Sequence, residues 1–450
     1  MMYRQFTLLI SAILALPLIL MSQNGVNSPF SQYGLSQNKL PGSTPFAAAM
    51  GGVVYSRASN NYVNPFNPAS YASIQKESFV FDISMSLDNT HLTGGNQTSN
   101  SFDGALSSLA VAFPLTNWWK TSLGLLPYST TKYETVVQQS VTGTSQLVRN
   151  VYDGTGGISQ VYWGNGFNII GGDEGKPTLQ AGFNLNYLYG NVSRAITYDF
   201  VGSDTSYYQD TRRQKNTRVS NVTFDIGLLY RQPLNEKYTL TAAVTCKLPQ
   251  TLTVKDESLI YTFITTSGTE HFLDTIFPAR GESSKYDSKM KQPMGIGVGL
   301  AIERNHRWEV AVDAYYAEHS GMKYEEGLSH PIFGNSGLQY KSNCRIAIGG
   351  GWLGNPEAVR YIGRMGLTGG IHYEKGKLSL DVSQTGNTET LDEWGVGMGI
   401  TFPMRKGRSQ FVLSCAYTNF GETDLLCTET FSIGFTLSSN ERWFVKRKYN

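Results

Sequence analysis

The chain has 450 residues, with 37 Lys and Arg against 35 Asp and Glu and a formal net charge of +2. Only 16% of residues are charged, against about 25% in ordinary soluble domains, and the near-neutral balance excludes a partner held by strong charge, nucleic acid above all. With 26 Tyr, 22 Phe and 47 Gly, the length suits either two or three soluble domains or one large all-β assembly whose strands are apolar on one face.

Arg4 precedes an apolar run from Phe6 to Met21 that is broken by Pro17. This is the shape of a secretory signal peptide, here residues 1–22 with cleavage near Ser22. The other reading is an uncleaved anchor, although a spanning helix needs about 20 apolar residues. No later stretch approaches that length, so any membrane form must be a closed barrel, which alone satisfies every backbone donor and acceptor.

Residues 23–76 precede the first strand and hold AAAMGGVVYSRASNNYVNPFNPAS, Ala47 to Ser70. Gly51 and Gly52 permit tight reversal, Pro65 and Pro68 stiffen turns, and Asn61, Asn64 and Asn67 can cap backbone groups. The aromatics Phe30, Tyr33, Phe46, Tyr55, Tyr62, Phe66 and Tyr71 speak against a disordered leader, since such tails are aromatic-poor. A wide barrel leaves a lumen, and the expectation is that this segment enters it as a hatch.

From residue 77 to 438 one device repeats: apolar side chains at every second position, the period of a strand. In VTFDIGLLYR, Val222, Phe224, Ile226, Leu228 and Tyr230 share a face opposite Asp225 and Arg231. Fourteen segments follow this pattern: Phe79–Leu87, Ser107–Phe113, Thr121–Leu126, Gln160–Ile170, Leu179–Tyr189, Val219–Arg231, Tyr238–Lys247, Met294–Glu303, Arg307–Tyr316, Asn343–Trp352, Ile362–Tyr373, Glu393–Phe402, Phe411–Tyr417 and Thr430–Leu437. Asp82, Asp225, Glu309, Asp313, Arg345 and Arg364 fall opposite the large apolar side chains, away from lipid, where a cation near the midplane costs about 2–4 kcal/mol.

The connections alternate. Asp88–Leu106, Pro127–Ser159, Gly190–Ser220, Leu248–Pro293, Ala317–Ser342, Glu374–Asp392 and Thr418–Glu429 are long, and PLTNWWK, GGDEGKPT, QPLNEK, RNH, LGNPEAVRY and PMRKGRSQ are short. All long loops therefore leave at one rim and all short turns at the other, as in an outer-membrane barrel of a Gram-negative bacterium with both mature termini periplasmic. A β-sandwich has no reason to keep that rhythm. The fold class expected is an all-β transmembrane antiparallel barrel of about fourteen strands with an N-terminal hatch in the lumen.

Two strands, MGIGVGL and WGVGMGI, put Gly295, Gly297, Gly299, Gly395, Gly397 and Gly399 on the inward face. Strand glycines mark either curvature or close approach of an object to the wall. Both readings stay open. Inward Leu126, Leu188 and Leu229 are the few apolar candidates for lining a pocket.

SPFSQYGL, AAAMGGVV and NPFNPASYA together resemble the hatch of FadL-type outer-membrane proteins. Met50, Gly51 and Gly52 match that hatch's turn, and Asn67, Pro68 and Ala69 match its Asn-Pro-Ala element, with Asn64 and Pro65 just before it. The resemblance implies a fourteen-stranded barrel plugged by the hatch and passive transport of small hydrophobic molecules across the outer membrane. The tail of residues 439–450 departs from a simple barrel ending: Arg442, Trp443, Phe444, Lys446, Arg447 and Lys448 are basic and aromatic. It resembles FadL-like subunits of larger outer-membrane machines for secretion or barrel assembly, so a docking role for outer-membrane or periplasmic proteins is the alternative. An anchor at the inner headgroup layer would use the same residue types.

No nucleophile elbow, P-loop or zinc-type motif occurs, and the six His are scattered. No catalytic residue, metal or cofactor is expected, and the partners are outer-membrane lipid, a hydrophobic small molecule and proteins of the envelope. Cys415 and Cys427 could bridge in an oxidising exterior. Arg212, Arg213, Lys215 and Arg218 form a basic cluster in an expected external loop, facing solvent or anionic lipid.

Overall fold

The structure, a computed structural model, describes residues 28–32, 37–38 and, from 44 to 442, all but 95–96, 141–146, 172–175, 202–208, 267–268, 279–282, 305–306, 321–323, 326–337, 356, 377, 382–387, 405–407 and 423–425. The expected signal peptide and the tail residues Trp443, Phe444, Lys446, Arg447 and Lys448 lie outside the described residues.

Fourteen antiparallel strands close on themselves. In chain order they are β1 Ser78–Gly94, β2 Gln97–Pro114, β3 Trp119–Ser140, β4 Leu147–Ile170, β5 Thr178–Val201, β6 Asp210–Pro233, β7 Tyr238–Lys247, β8 Gly295–Arg304, β9 Trp308–Ala317, β10 Asn343–Trp352, β11 Gly366–Lys375, β12 Glu393–Met404, β13 Ser409–Glu422 and β14 Leu426–Arg442. Each pairs with the next in space, and β14 returns to β1 in a ladder from Ser78↔Arg442 to Thr93↔Cys427. No helix is long and apolar enough to cross a membrane among the described residues, and the ring closes with each strand paired to both neighbours along its short-turn end.

The strand count agrees with the periodicity; the strand lengths do not. β3 to β6 run 22 to 24 residues, whereas β7 to β11 run 10. Most of the connections read as long loops near the N-terminal half are strand: β3 and β4 stay paired up to Ser140↔Leu147, and β5 and β6 up to Tyr198↔Thr211. Above the bilayer both strand faces meet water or protein, so the apolar alternation that betrays a lipid-facing strand fades while the ladder continues. One wall therefore stands much taller than the other. The segment expected as strand from Ile362 begins at Gly366, and Tyr361–Arg364 form a short helical turn. Arg364 thus leaves the wall. At the other end β14 continues to Arg442, because Asn440–Arg442 pair with Val80–Ser78.

Lipid-facing side chains follow the parity expected. On β9, Val310 and Val312 are exposed between Trp308 at the short-turn end and Tyr316 at the other. The eight intervening steps span about 27 Å along the strand, the scale of the roughly 25 Å apolar band between aromatic girdles. At the short-turn rim Tyr238 packs on Trp308 (6.0 Å between centroids), and Trp118, Trp119 and Phe167 pack together.

Above β7 the wall is completed by a flap of three strands, Gln250–Thr266, Thr269–Phe277 and Lys285–Gln292. The first pairs with upper β6 from Asp210↔Phe263 to Val219↔Val254, and the third pairs with the first. Leu252, Val254 and Met290 of the flap bury Ile158, Leu188, Val192 and Val219 of the tall wall. The basic cluster expected in a loop sits on β6 instead. Arg212 makes a forked pair with Glu270 (2.9 and 3.0 Å), and Lys215 lies 3.4 Å from buried Asp256. These cations hold the flap to the wall rather than facing lipid. Cys415 and Cys427 are free thiols; Cys415 stands opposite Ile433 and Cys427 opposite Gly421, in different rows of the β13–β14 ladder, so no bridge joins them.

Candidate functional site

Residues 44–74 occupy the bore. Pro45–Ala48 forms one helical turn and Pro68–Ser73 a short 3-10 helix, with Asn67 as its N-cap accepting from the Ala69 amide (3.1 Å). The Asn67 side chain also donates to the Tyr55 carbonyl (2.8 Å), and that of Asn64 donates to the carbonyls of Val54 and Arg57 (2.6 and 2.8 Å). A segment this short cannot build its own core, so two asparagines tie its strands of chain together through backbone groups.

The wall receives it on glycines. At Gly51 and Gly52 φ is +64° and +85°, and a Cβ there would strike the Gly370–Ile371 backbone and the Arg345 guanidinium respectively. Conversely, a Cβ on wall residues would strike the segment: Gly166 at the Ala72 amide (2.7 Å), Gly182 and Gly227 at Pro68, Gly299 at the Ser56 amide (2.8 Å), Gly349 and Gly370 at the Met50 carbonyl, Gly397 at the Ala48 carbonyl, and Gly434 at Pro45. Gly297 faces the Tyr55 ring and Gly399 faces Ala49. Gly295 and Gly395 face other wall side chains, Tyr315 and His372. Of the six glycines singled out in the sequence, four therefore touch the segment. The others in contact were missed; the available signal was glycine at inward parity in VYWGNGF, LQAGF, FDIGL, IAIGG, LTGG and SIGF.

Polar wall residues hold what the glycines admit. Asp313 on β9 accepts from the amides of Val54 (2.6 Å) and Tyr55 (2.7 Å) and from the Ser56 hydroxyl (3.2 Å). Asp82 on β1 accepts from the Val63 amide, and Arg345 on β10 donates to the Gly52 carbonyl (3.1 Å). Asn184 on β5 accepts from the Tyr71 hydroxyl (3.0 Å) and donates to the Pro65 carbonyl (2.9 Å). Burial pushes the Tyr71 phenol well above its ordinary range, so it remains a neutral donor. Arg57 stacks 4.0 Å from the Phe46 ring and lies 3.6 Å from Glu309. Inward position alone had marked Asp82, Asp313 and Arg345; their partners were not legible. Leu126 and Leu229, read as pocket candidates, are fully buried against Tyr71 and Ala69, and Leu188 belongs to the flap core.

Among the described residues, the ladder between β2 and β3 is interrupted beside this segment. β2 pairs with β3 only from Leu109↔Leu125 to Pro114↔Lys120, although β2 stays paired with β1 up to Gln97 and β3 with β4 up to Ser140. Above Leu125 no rung joins the two strands among the described residues, a slit in the ladder. The chain's own N-terminal residues line its β3 edge: Gln37 and Asn38 pair with Thr130 and Ser129, and the Ser28 amide donates to the Lys132 carbonyl (3.3 Å). Phe30 meets Phe420 of β13 edge-on (5.5 Å), and Lys132 bridges the slit to Asp103 on β2 (3.3 Å). Ser28–Gln32 thus reach the long-hairpin half of the bore, held there by the Lys132 backbone.

Solved structures share this barrel fold. The CymD monoaromatic hydrocarbon channel aligns with a TM-score of 0.51 at 11% identity, over 89% of this chain and 97% of that one. The Ralstonia pickettii toluene transporter TbuX aligns at 0.52 and 13%, over 88% and 97%, and a Pseudomonas aeruginosa FadL homologue at 0.52 and 11%, over 93% and 100%. No curated sequence matches. The chain belongs to the BamG family, whose profile it matches over residues 2–450.

Proposed function

We propose that the protein admits small hydrophobic molecules passively across the outer membrane, with the short-turn rim periplasmic and residues 44–74 as a hatch. The observation that carries this reading is the slit between β2 and β3. It begins about 20 Å along the strand from Trp119, and on this reading a lipophilic molecule leaves the bore there without crossing the polar hairpins. The solved barrels of the same fold include a toluene transporter and a monoaromatic hydrocarbon channel. The test is a lock. Asn38 and Ser129 are direct partners, so Asn38→Cys with Ser129→Cys, in a chain whose four native cysteines are replaced by serine, should bridge on oxidation. Cells carrying the bridged form should take up N-phenylnaphthylamine, a dye that an intact lipopolysaccharide leaflet excludes, several-fold more slowly than after reduction. Equal uptake in both states would remove the slit as a route.

A second reading is that the barrel is a subunit of a larger outer-membrane complex. It is favoured by how fully the segment uses the bore's apolar surface: the cavity beside Phe46, Tyr62, Phe66 and Leu126 has room for little more than water. On this reading the inner segment stiffens a scaffold. Extraction in mild detergent should then yield one assembly larger than the barrel, and a chain that always migrates alone counts against it.

A further inference from the structure

The turn between β10 and β11 is unlike its neighbours on the same rim. It is built, not loose: Asn355 donates to the Gly363 carbonyl (2.9 Å), Ala358 to Asn355 (3.0 Å), Gly363 to Arg360 (3.1 Å) and Met365 to Ile362 (3.2 Å), all from backbone amides. It is also tied sideways along the rim, by the Leu353 amide to the Arg307 carbonyl (2.7 Å) and by the Tyr361 hydroxyl to the Pro403 carbonyl (3.2 Å). This frame holds two apolar side chains into solvent, Val359 at 98% and Ile362 at 80% exposure. The lipid-facing side chains on the strands reach at most 63%, because their neighbours cover their flanks. A bonded apolar tip that nothing flanks among the described residues is an interaction surface rather than a barrel wall.

Its surroundings are cationic. Arg360 and Arg364 belong to the turn, Arg304 and Arg307 to the neighbouring one, and Arg408 and Arg442 to the rim beyond, against Glu357 and Glu441. The turn between β6 and β7 carries one Glu and one Lys, Glu236 and Lys237, which cancel. Trp308 and Trp352 mark the headgroup level at the ends of β9 and β10, directly opposite each other, and Val359 lies beyond them. Interfacial anchors use Trp and Tyr, and the turn's own Tyr361 is bonded back to the barrel. Charge and position therefore favour a protein over lipid.

We propose that this turn is the centre of a docking surface for a protein on the short-turn side that offers an apolar socket rimmed by Asp and Glu. The inference rests on the complex-subunit reading above. Its test places the photocrosslinker p-benzoylphenylalanine at Val359 of the full chain in its native membrane. We expect one discrete protein adduct that falls at least tenfold in Arg360→Glu with Arg364→Glu and in Ile362→Glu. Heat-dependent gel migration, which reports a folded barrel, and dye uptake should stay unchanged. Adducts with lipid only, or a protein adduct indifferent to both charge reversal and Ile362→Glu, would overturn the surface. A larger assembly that persists in all these variants defeats the surface but leaves the subunit reading standing. Absence of any larger assembly in the wild type defeats both.

Discussion

Gly397→Val should unseat the inner segment from the barrel. The new Cβ would fall on the Ala48 carbonyl, a backbone atom at the end of a helical turn that cannot swing aside as a side chain would. Overpacking of this kind costs about 1–3 kcal/mol when a core can adjust. The adjustment available here is for residues 44–52 to leave the wall. Gly369 offers the matched control, since it faces outward and a Cβ there meets only the Gly397 carbonyl at 3.5 Å. In planar bilayers the Gly397→Val barrel should conduct ions well above the wild-type level, while Gly369→Val should not. Added protease should also cut the variant near Ala48. If the variant stays as closed and as resistant as the wild type, the fit between wall glycines and segment is not what seats it.

Asp313→Ala should be the most damaging single change among the polar contacts. One buried carboxylate, 2% exposed, serves two backbone amides and a hydroxyl of the segment. Its removal leaves three buried donors without their acceptor, and each such group costs about 1–3 kcal/mol. Water admitted into the bore recovers part of that, so the net loss should lie toward the lower end of the combined range. Asp313→Asn keeps one acceptor oxygen and should lose less. Hydrogen exchange at the Val54 and Tyr55 amides reads the effect directly: exchange should accelerate by at least a hundredfold in the alanine variant. Unchanged protection at those two amides would show that Asp313 is not their anchor.

Both experiments concern residues that differ in how readable they were. Gly397 stood out in WGVGMGI because glycine at every second position has no use in a strand unless something comes close or the sheet bends. Its companion Gly395, in the same run, packs on His372 rather than the segment, and no one-dimensional signal separates the two. Asp313 was readable as inward-facing because a carboxylate opposite Val310 and Val312 cannot face lipid. That it meets Val54, Tyr55 and Ser56, more than 250 positions earlier in the chain, depends on how the cylinder closes. Arg212 and Lys215 show the opposite failure: a basic run reads as solvent-facing, yet Glu270 and Asp256 approach through a flap that has no lipid-facing period to reveal it.

The amino-acid order by itself determined the class of fold, the number of strands and the side of each strand that meets lipid. Those follow from period-two burial and from alternating connection lengths, which are local properties and survive any choice of register. Strand height, the slit above Leu125, the flap and the particular atoms that grip residues 44–74 were decided only in three dimensions. Ladder pairing beyond the membrane leaves no hydropathy pattern, and the meeting of one carbonyl with one glycine depends on the register of every strand around the ring.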